Sequence, residues 1–275
     1  MNIDLHCHST TSDGLLEPGA LVARAAANSV DILALTDHDD TSGLASARAE
    51  AIARGVGFVD GVEISVSWQE STLHVVGLRI DPDNARLRTG LEWVRSTRIQ
   101  RAERISEALE RAGIPDSLAG ALAYVGNPEI ISRTHFARFL VDSGRARDVK
   151  GVFQRYLVKG KPGYVEQRWA ALGDAVSWIR ASGGVAVIAH PGRYNLDSAE
   201  MKGLIAEFKA CGGEGIEVVT GSHTPTQYRE FAGYARQFDL LASRGSDFHG
   251  DAGSRADLGL LPSLPQDLKP VWHDW

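Results

Sequence analysis

Short apolar runs recur along this chain, and each ends in a cluster of polar residues. Residues 31–35 form one such run, which is typical of a strand buried on both faces of a parallel sheet, and Thr-Asp-His-Asp follows it at 36–39. Helical patterns lie between most of these runs, and this alternation of strand and helix favours an α/β fold. In a barrel of parallel strands, the carboxyl ends of the strands meet at one end. We therefore expect the polar clusters to lie close together.

The composition limits the classes of protein to which the chain can belong. With 275 residues, of which 43% are hydrophobic, it is long enough for one α/β barrel or for two smaller domains. It has no apolar run of about 18 residues, and its start lacks a basic segment followed by an apolar one. We therefore expect no membrane span, no secretory signal and a cytoplasmic location. Cys7 and Cys211 are the only cysteines, and we interpret both as reduced.

The alternation of strands and helices stops between residues 86 and 168. This segment has helical patterns without strand signals and carries 16 Lys and Arg against nine Asp and Glu, a net charge of +7 that leaves −13 for the remainder. We predict a barrel formed by residues 1–85 and 169–275, and a helical insertion, 86–168, that acts as a substrate-binding cap. A basic segment beside an acidic remainder that binds cations indicates an anionic substrate.

A long helix opens this insertion in the prediction, over residues 91–112. Four of its arginines recur every three residues, at positions 95, 98, 101 and 104. Because they lie away from the apolar side of the helix, we interpret them as a solvated face.

Two short motifs place pairs of polar side chains on one face of a strand. Side chains alternate along a strand, so His6 and His8 point the same way, and Asp247 and His249 repeat this spacing. The turn after His8 brings Asp13 back over the end of the same strand. Neutral imidazoles and carboxylates that converge on one point suit a divalent metal ion.

Further candidate ligands lie on or directly after the other predicted strands. A lone histidine in an apolar strand, such as His74, is more often a satisfied core residue than a ligand. Independent core histidines, however, would not fall at strand ends so consistently. We therefore predict one metal site formed by nine residues: His6, His8, Asp13, His38, Glu63, His74, His190, Asp247 and His249.

The motifs that contain these residues resemble, in their order, those of the PHP superfamily, named for polymerase and histidinol phosphatase domains. They are D-L-H-C-H-S at 4–9, S-D-G at 12–14, T-D-H-D at 36–39, G-V-E at 61–63, the strand histidine, A-H-P-G at 189–192 and G-S-D-F-H at 245–249. The resemblance implies a distorted (β/α)7 barrel with an all-helical insertion, and three divalent metal ions. It also implies three ligand sets: His6, His8, Glu63 and Asp247; Glu63, His74 and His190; and Asp13, His38 and His249.

The helical insertion and its Ser132-Arg133-Thr134-His135 narrow this resemblance to the nucleoside 3′,5′-bisphosphate phosphatases and the short-RNA 5′→3′ exonucleases. The resemblance implies a metal-dependent phosphoesterase that acts on nucleotide phosphate monoesters. Its first-choice target is the 3′-phosphate of nucleoside 3′,5′-bisphosphates, with 5′→3′ exonuclease activity on short oligonucleotides as an additional activity. The implied partner is a small phosphorylated substrate, with no membrane and no obligate protein partner.

Phosphate hydrolysis in such a site would need a nucleophile, phosphate-binding groups and a proton donor. A hydroxide that bridges two metal ions is the expected nucleophile, because metal binding lowers the pKa of water toward about 7. Arg133 and Arg193 are candidate phosphate-binding residues, since a guanidinium matches phosphate with two hydrogen bonds. Ser132 and His135 are further substrate-binding candidates. His223 is the candidate catalytic proton donor, although a histidine without a catalytic role is the favoured interpretation of it.

Three other functions remain open at this point. A histidinol-phosphate-type phosphatase is the first alternative, although the insertion with its S-R-T-H is not expected there. A non-catalytic, metal-binding PHP scaffold is the second, and the full set of nine ligand-type residues argues against it. The third is a metal-dependent amidohydrolase, whose usual barrel includes a carbamylated strand lysine that the predicted strands lack. Mn²⁺ is the favoured metal, with Fe²⁺ and Zn²⁺ as alternatives, because all three accept mixed nitrogen and oxygen ligands.

Overall fold

The computed structural model of the chain describes residues 1–251 and 254–275. The chain divides into two compact units, one formed by residues 1–91 and 170–275 and the other by residues 92–169. The strands are β1 (Ile3–Asp4), β2 (Ile32–Leu35), β3 (Gly57–Trp68), β4 (Ser71–Leu78), β5 (Ala170–Ala171), β6 (Val185–Ile188), β7 (Gly215–Thr220) and β8 (Leu241–Gly245). The helices are α1 (Pro18–Ala27), α2 (Leu44–Arg54), α3 (Ala85–Arg111), α4 (Ser117–Leu122), α5 (Arg133–Asp142), α6 (Val149–Val152), α7 (Leu172–Ala181), α8 (Ser198–Ala210) and α9 (Pro225–Phe238).

The first unit is built on a nearly closed, barrel-shaped sheet of seven strands. Neighbouring strands follow the order β1-β2-β3-β4-β6-β7-β8, and the two-residue β5 pairs with β3 outside this path. Backbone hydrogen bonds from Leu5 to Arg244 (3.0 Å) and from His8 to Phe248 (2.9 Å) join the two ends of the sheet. The predicted fold class, an α/β barrel of seven strands with a helical insertion, is confirmed.

One strand departs from the all-parallel barrel that the sequence suggested. β4 runs antiparallel to both β3 and β6, with His74 opposite Ser65 and Val75 opposite Ile188. In an antiparallel strand the amino-terminal half lies at the carboxyl ends of its neighbours. His74 therefore reaches the same end of the barrel as the other candidate ligands from the first half of its strand, not from its carboxyl end.

The barrel unit is held by aliphatic side chains that are withdrawn from water. One buried cluster includes Ile3, Leu5, Ala34, Val59, Val76, Leu78, Val187, Ala189 and Val271. Burial of such side chains contributes about 25 cal/mol for each Å² of apolar surface. The polar residues of the predicted site lie at the ends of the strands that carry this core.

The residues after Asp257 are more firmly attached than the loosely structured segment that the sequence indicated. Pro270 forms a parallel bridge with Ala242 of β8, and the Val271 amide donates to the Ala242 carbonyl (2.9 Å). The Arg244 guanidinium donates to the carbonyls of Gly259 (3.0 Å) and Leu261 (2.6 Å). This segment is thus an integral layer against the last strand.

The second unit has a core of its own. Its buried residues come from α3 to α6, from the turns between them and from the turn after α6: Ala102, Ile105, Leu109, Ile114, Ala121, Ile131, Phe136, Ala137, Leu140, Val152 and Leu157. α3 begins at Ala85, six residues earlier than predicted, because Asn84 accepts hydrogen bonds from the amides of Arg86 and Leu87 at its start. Residues 153–157 form a wider π-helical turn directly after α6.

The start of α2 and the two cysteines complete the description. α2 begins at Leu44 with Gly43 before it and without a side-chain cap. Cys7 and Cys211 are both free thiols. Within residues 1–251 and 254–275, every helix is too short or too polar to cross a membrane.

Candidate metal centre

The centre begins with the two histidines that follow β1. The amides of His8 and Asp247 pair with the carbonyls of Phe248 and His6, at 2.9 and 2.8 Å, so the segment after β1 is bonded to the segment after β8. Both imidazoles are completely buried, and their Nε2 atoms lie 3.1 Å apart. Strand alternation therefore brings the two rings to one point, as the sequence predicted.

The groups behind the two rings decide which nitrogen of each carries the proton. The Nδ1 of His6 lies 2.8 Å from the Glu217 carboxylate, which can only accept, so this nitrogen donates. The Ser12 hydroxyl donates its proton to Asp37 at 2.6 Å, and the Nδ1 of His8 is the donor to that hydroxyl, at 3.4 Å. With these protons on Nδ1, both Nε2 atoms present lone pairs to each other, an arrangement that suits a metal cation between them.

Two carboxylates face these nitrogens. Oε2 of Glu63 lies 3.4 Å from the Nε2 of His6 and 3.2 Å from that of His8, and Oδ1 of Asp247 lies 3.6 and 3.4 Å from the same two atoms. In the described part of the chain, both oxygens are buried without a hydrogen-bond partner. Ligand atoms held at about 2.1 Å from one ion are themselves separated by roughly 3.0–3.4 Å. The donor set therefore fits a divalent cation.

His74 and His190 approach Glu63 from the other side. The Nδ1 of His74 and the Nε2 of His190 lie 3.0 and 2.8 Å from the Glu63 Oε1, and 3.3 Å from each other. The Tyr194 hydroxyl lies 2.8 Å from the backbone amide of His74 and donates to the Ala189 carbonyl at 2.8 Å. Burial lowers the pKa of His74 to about 4, despite the nearby Glu63 carboxylate, so the ring is neutral as a metal ligand must be.

Asp13, His38 and His249 form the third part of the centre. The Nε2 of His249 is 3.2 Å from Oδ1 of Asp13, and its Nδ1 donates to the Asp247 carbonyl at 2.9 Å. The ring of His38 lies between two carboxylates, 3.0 Å from Glu63 and 3.9 Å from Asp13. Burial alone would lower the pKa of His249, but Asp13 and Asp247 raise it to about 9.

All nine predicted residues therefore lie close together. The groups whose ligand atoms lie within 4.8 Å of one another, however, differ from the three ligand sets that the resemblance implies. His8 lies with Asp13, His38 and His249. Three more groups consist of His6, His190 and Asp247; of His6, His8 and Glu63; and of His38, Glu63 and His74. The assignment of individual ligands to individual ions stays a prediction.

Two of these residues have backbone conformations that residues other than glycine rarely adopt. The φ angles of His190 and Asp247 are 25° and 55°. Such conformations cost about 1–3 kcal/mol each and cluster at functional sites, where the surroundings enforce them. Here the His190 amide donates to Oε2 of Glu217 at 2.5 Å, and the Asp247 amide bonds to His6.

Glu217 is a buried carboxylate that the sequence analysis did not identify. It lies in the middle of β7 and holds two neighbours at once, with Oε1 on the imidazole of His6 and Oε2 on the amide of His190. Its only signal in the sequence is that an acidic residue interrupts an apolar strand, as Glu63 does in β3. A buried charge at such a position must be paired or hydrogen-bonded.

The two aspartates that flank His38 support the loops of the centre. Asp37 accepts hydrogen bonds from the amide and hydroxyl of Ser9, at 2.8 and 2.7 Å, in addition to the hydroxyl of Ser12. Asp39 accepts from the amide of Ser65 at 2.7 Å and from its hydroxyl at 3.0 Å. The T-D-H-D motif thus supplies one candidate ligand and two loop-holding carboxylates.

The predicted proton donor His223 is committed to the backbone. Its Nδ1 donates to the Val218 carbonyl at 3.2 Å, and its Nε2 accepts from the Gly192 amide at 2.9 Å. Burial also lowers its pKa, which favours the neutral ring. These backbone contacts account for His223 by its hold on the turn that carries Arg193, and its role as proton donor stays a prediction.

Arg193 is the predicted phosphate-binding residue that lies at the centre itself. It ends the short turn Pro191–Arg193, and its Nη1 donates to Oδ2 of Asp247 at 3.0 Å. The side chain is 51% exposed, so its remaining donors can reach a ligand from solvent. This position suits an arginine that contacts an anionic group next to the candidate metal ligands.

The other three predicted substrate-binding residues lie in the helical unit. The Ser132 amide donates to the Nδ1 of His135 at 3.0 Å, and this pair forms a capping box at the start of α5. The Nη1 of Arg133 donates to the Leu157 carbonyl at 3.3 Å. Helix capping accounts for Ser132 and His135 without a substrate, and a role in substrate binding stays a prediction for all three.

The sequence and fold are similar to those of known proteins over almost their whole length. The chain is 51% identical over 273 residues to the 3′,5′-nucleoside bisphosphate phosphatase of Chromobacterium violaceum. This alignment covers 99% of this chain and 96% of that protein. It is 44% identical over 276 residues to the 5′-3′ exoribonuclease Rnm of Escherichia coli K12, with 99% and 93% covered.

A solved structure from Chromobacterium violaceum, described as an amidohydrolase with bound sulfate and no metal, superposes with a TM-score of 0.95 at 51% identity, covering 100% of this chain and 95% of that one. The family model for the PHP domain matches residues 4–181 of the chain. Together with the nine converging side chains, these similarities show that the chain belongs to the PHP domain family.

Proposed function

We propose that this protein is a metal-dependent phosphoesterase that removes the 3′-phosphate from nucleoside 3′,5′-bisphosphates. The observation that carries the proposal is the convergence of nine imidazole and carboxylate side chains on one end of the barrel, in a chain that is similar over its whole length to a phosphatase of this specificity. Bound divalent cations would supply Lewis acidity, which neutralises phosphoryl oxygens and lowers the pKa of water.

The side chains of the centre would hold three such ions, with Mn²⁺ the favoured one. The overlapping close groups, which share His6, His8, His38 and Glu63, support several ions rather than one. Mixed imidazole and carboxylate donors suit Mn²⁺, and Fe²⁺ and Zn²⁺ are the alternatives. Glu63, which faces five imidazoles, would be a ligand shared by more than one ion.

The chain's own residues would orient the substrate in the following way. Arg193, held by Asp247 and by the turn that His223 fixes, would bind the phosphoryl group that reacts. Arg133 is a candidate residue for binding a second phosphate in the helical unit.

We propose the cytoplasm as the location of the protein. The two free cysteines and the small phosphorylated substrate support this proposal.

A second candidate function is 5′→3′ exonuclease activity on short oligonucleotides. It is supported by the similarity to the exoribonucleases of Escherichia coli and Haemophilus influenzae, which are 44% and 41% identical over almost the whole chain. Hydrolysis of a phosphodiester needs the same cations and the same phosphoryl-binding arginine. The two activities therefore need no separate site.

The test is hydrolysis of a panel of substrates by the Mn²⁺-loaded protein, followed as inorganic phosphate for the phosphate monoesters and by chromatography of the products for the RNA and the amide. The panel contains adenosine 3′,5′-bisphosphate, 3′-AMP, 5′-AMP, histidinol phosphate, a short 5′-phosphorylated RNA and an amide. We expect the bisphosphate to react fastest and to give 5′-AMP as its chromatographic product. Formation of 3′-AMP, or faster hydrolysis of histidinol phosphate or the amide, would contradict the proposal.

A matched pair of aspartate variants links the activity to the centre. We expect Asp247→Asn to lower turnover of every phosphate substrate by more than about 100-fold, since loss of a group that merely supports a metal ligand costs 10–100-fold. Asp83→Asn, at an exposed position in the loop after β4, is the control and should match the parent protein. Equal activity of both variants would remove Asp247 from the site.

A further inference from the structure

Two of the candidate ligands, His74 and His190, lie where the antiparallel pairing of β4 and β6 ends. The last regular partners of the two strands at this end are Val75 and Ile188. One residue further on, the Ala189 amide still donates to the His74 carbonyl at 3.1 Å. Two residues that face each other in such a pair normally exchange two hydrogen bonds, so a second bond from the His74 amide to the Ala189 carbonyl is expected here.

A side chain takes the place of that second bond. The His74 amide donates to the Tyr194 hydroxyl at 2.8 Å, and this hydroxyl donates to the Ala189 carbonyl, also at 2.8 Å. A phenol hydroxyl can accept and donate at the same time, so one oxygen atom satisfies both backbone groups. Tyr194 therefore forms a bridge between the ends of the two strands.

The ring of Tyr194 contacts the second ligand. Its centroid lies 5.7 Å from that of the His190 imidazole, and the two planes are inclined at 68°, which is an edge-to-face contact. The chain turns sharply between Ala189 and this ring, because the φ angle of His190 is 25°. One side chain thus touches the backbone of His74 through its hydroxyl and the imidazole of His190 through its ring.

The two imidazoles that Tyr194 contacts have the spacing of ligands to one ion. The Nδ1 of His74 and the Nε2 of His190 are 3.3 Å apart, and they lie 3.0 and 2.8 Å from the Oε1 of Glu63. Distances between a metal ion and its ligands are fixed to within about 0.2 Å. An ion at this position therefore depends on how precisely the ends of β4 and β6 are spaced.

We infer that Tyr194 is a positioning residue, which sets the spacing of His74 and His190 for one ion of the centre. That an ion binds to this pair rests on the proposed function, whereas the bridge between the strands does not. Without the hydroxyl, the His74 amide and the Ala189 carbonyl would either pair directly, which draws the strand ends together, or stay unpaired. Both responses displace the two imidazoles relative to Glu63.

The other side of the centre is held by different bonds. In residues 1–251 and 254–275, the Tyr194 hydroxyl forms its hydrogen bonds with His74 and Ala189. His6, in contrast, is held by Glu217 and by the backbone bond to the Asp247 amide. Loss of the hydroxyl should therefore weaken one ion and spare the others, whereas a general loss of folding would weaken all of them.

The test is calorimetric titration of the chelator-treated protein with Mn²⁺, with bound Mn²⁺ counted after gel filtration. We expect Tyr194→Phe to weaken one class of sites by about 10–100-fold, the usual effect of losing a group that orients a metal ligand, and to retain one ion fewer than the parent. The control is Tyr228→Phe, because the Tyr228 hydroxyl also donates to a carbonyl at a strand end, that of Thr220 at 3.4 Å. Thr220 is not a candidate ligand, so this variant should bind Mn²⁺ as the parent does.

Two results would overturn the positioning role. One is a titration of Tyr194→Phe that matches the parent. The other is equal weakening of every site, since a purely structural residue would have that effect.

Activity separates this role from the proposed function. With adenosine 3′,5′-bisphosphate, we expect Tyr194→Phe to need about 10-fold more Mn²⁺ or greater for half-maximal activity. This concentration depends on the folded molecules alone, so it is informative even when part of the variant is unfolded. An unchanged requirement in an active enzyme would overturn the role of Tyr194 and leave the function standing. A parent that binds Mn²⁺ and loses one ion on Tyr194→Phe, but hydrolyses no nucleotide, would do the reverse.

Discussion

The Nδ1 of His6 is held by a single residue behind the ring. Glu217 accepts from the Nδ1 of His6 and leaves the Nε2 to face His8 and the carboxylates. Residues that orient metal-binding histidines in this way are as much part of a metal site as its ligands. Glu217 also holds the His190 amide, so one carboxylate positions two candidate ligands.

We therefore expect Glu217→Gln to weaken metal binding by about 10–100-fold. The amide has one acceptor oxygen for two donors, and its NH₂ group would force the opposite proton arrangement on His6. The measurement is the Mn²⁺ dissociation constant by calorimetry, with metal content after gel filtration as a second readout. The control is Glu214→Gln, at an exposed position directly before β7. If both variants bind Mn²⁺ like the parent, Glu217 has no positioning role.

At the residue scale, the sequence predicted features that depend on neighbouring residues and missed those that depend on contacts between residues remote in sequence. The i, i+2 histidines and the polar ends of the strands predicted all nine converging residues, because strand alternation fixes side-chain direction. The sequence did not predict that His223 is held by the backbone, since that depends on a turn 31 residues away. The burial of Arg98 and Arg101 was missed for the same reason: Trp169 is remote in sequence.

At the scale of elements, β8 approaches the segment after β1 closely at Gly245. A Cβ atom at Gly245 would lie 2.3 Å from the Cβ of His6 and 2.6 Å from its backbone nitrogen. Backbone atoms cannot move aside as a flexible side chain can. The glycine therefore permits the hydrogen bonds that place His6 and Asp247 together.

We expect Gly245→Ala to destabilise the protein by about 1–3 kcal/mol, as overpacking does, and to weaken Mn²⁺ binding because His6 is displaced. Thermal unfolding followed by circular dichroism, with a Mn²⁺ titration, measures both effects. The control is Gly233→Ala in α9, where a Cβ meets nothing within 4 Å and a helical alanine is favoured by up to about 1 kcal/mol. A Gly245→Ala protein as stable as the control would show that the approach is not tight.

The direction of β4 marks the limit of prediction for elements. A short apolar strand interrupted by a histidine has the same pattern in either direction, so His74 was correctly placed on a strand but the strand was wrongly taken as parallel. The two-residue turn between Trp68 and Ser71 is what reverses the chain. The helical insertion, in contrast, was predictable because strand signals disappear over many residues.

At the scale of the whole molecule, the candidate ligands come from segments that span almost the full sequence, from His6 to His249. A ligand that binds only the folded state stabilises it, by about 2.7 kcal/mol when its concentration is 100 times its dissociation constant. We expect Mn²⁺ added to chelator-treated protein to raise the melting temperature, and EDTA to lower it again.

Differential scanning calorimetry with and without Mn²⁺ measures this shift, and the same titration of Asp247→Asn is its control. The shift should be smaller for the variant, because one carboxylate that faces His6 and His8 is lost. Identical melting temperatures with and without Mn²⁺ would indicate that the nine side chains do not bind it.

The bonds between the segments after β1 and β8 have a consequence for synthesis of the protein. A ribosome makes His6 and His8 long before Asp247 and His249, because almost the whole barrel lies between them in the sequence. A nascent or prematurely terminated polypeptide that lacks the last strand cannot assemble the centre. Cation binding by the complete set of nine side chains therefore has to wait until β8 and the segment after it have been made.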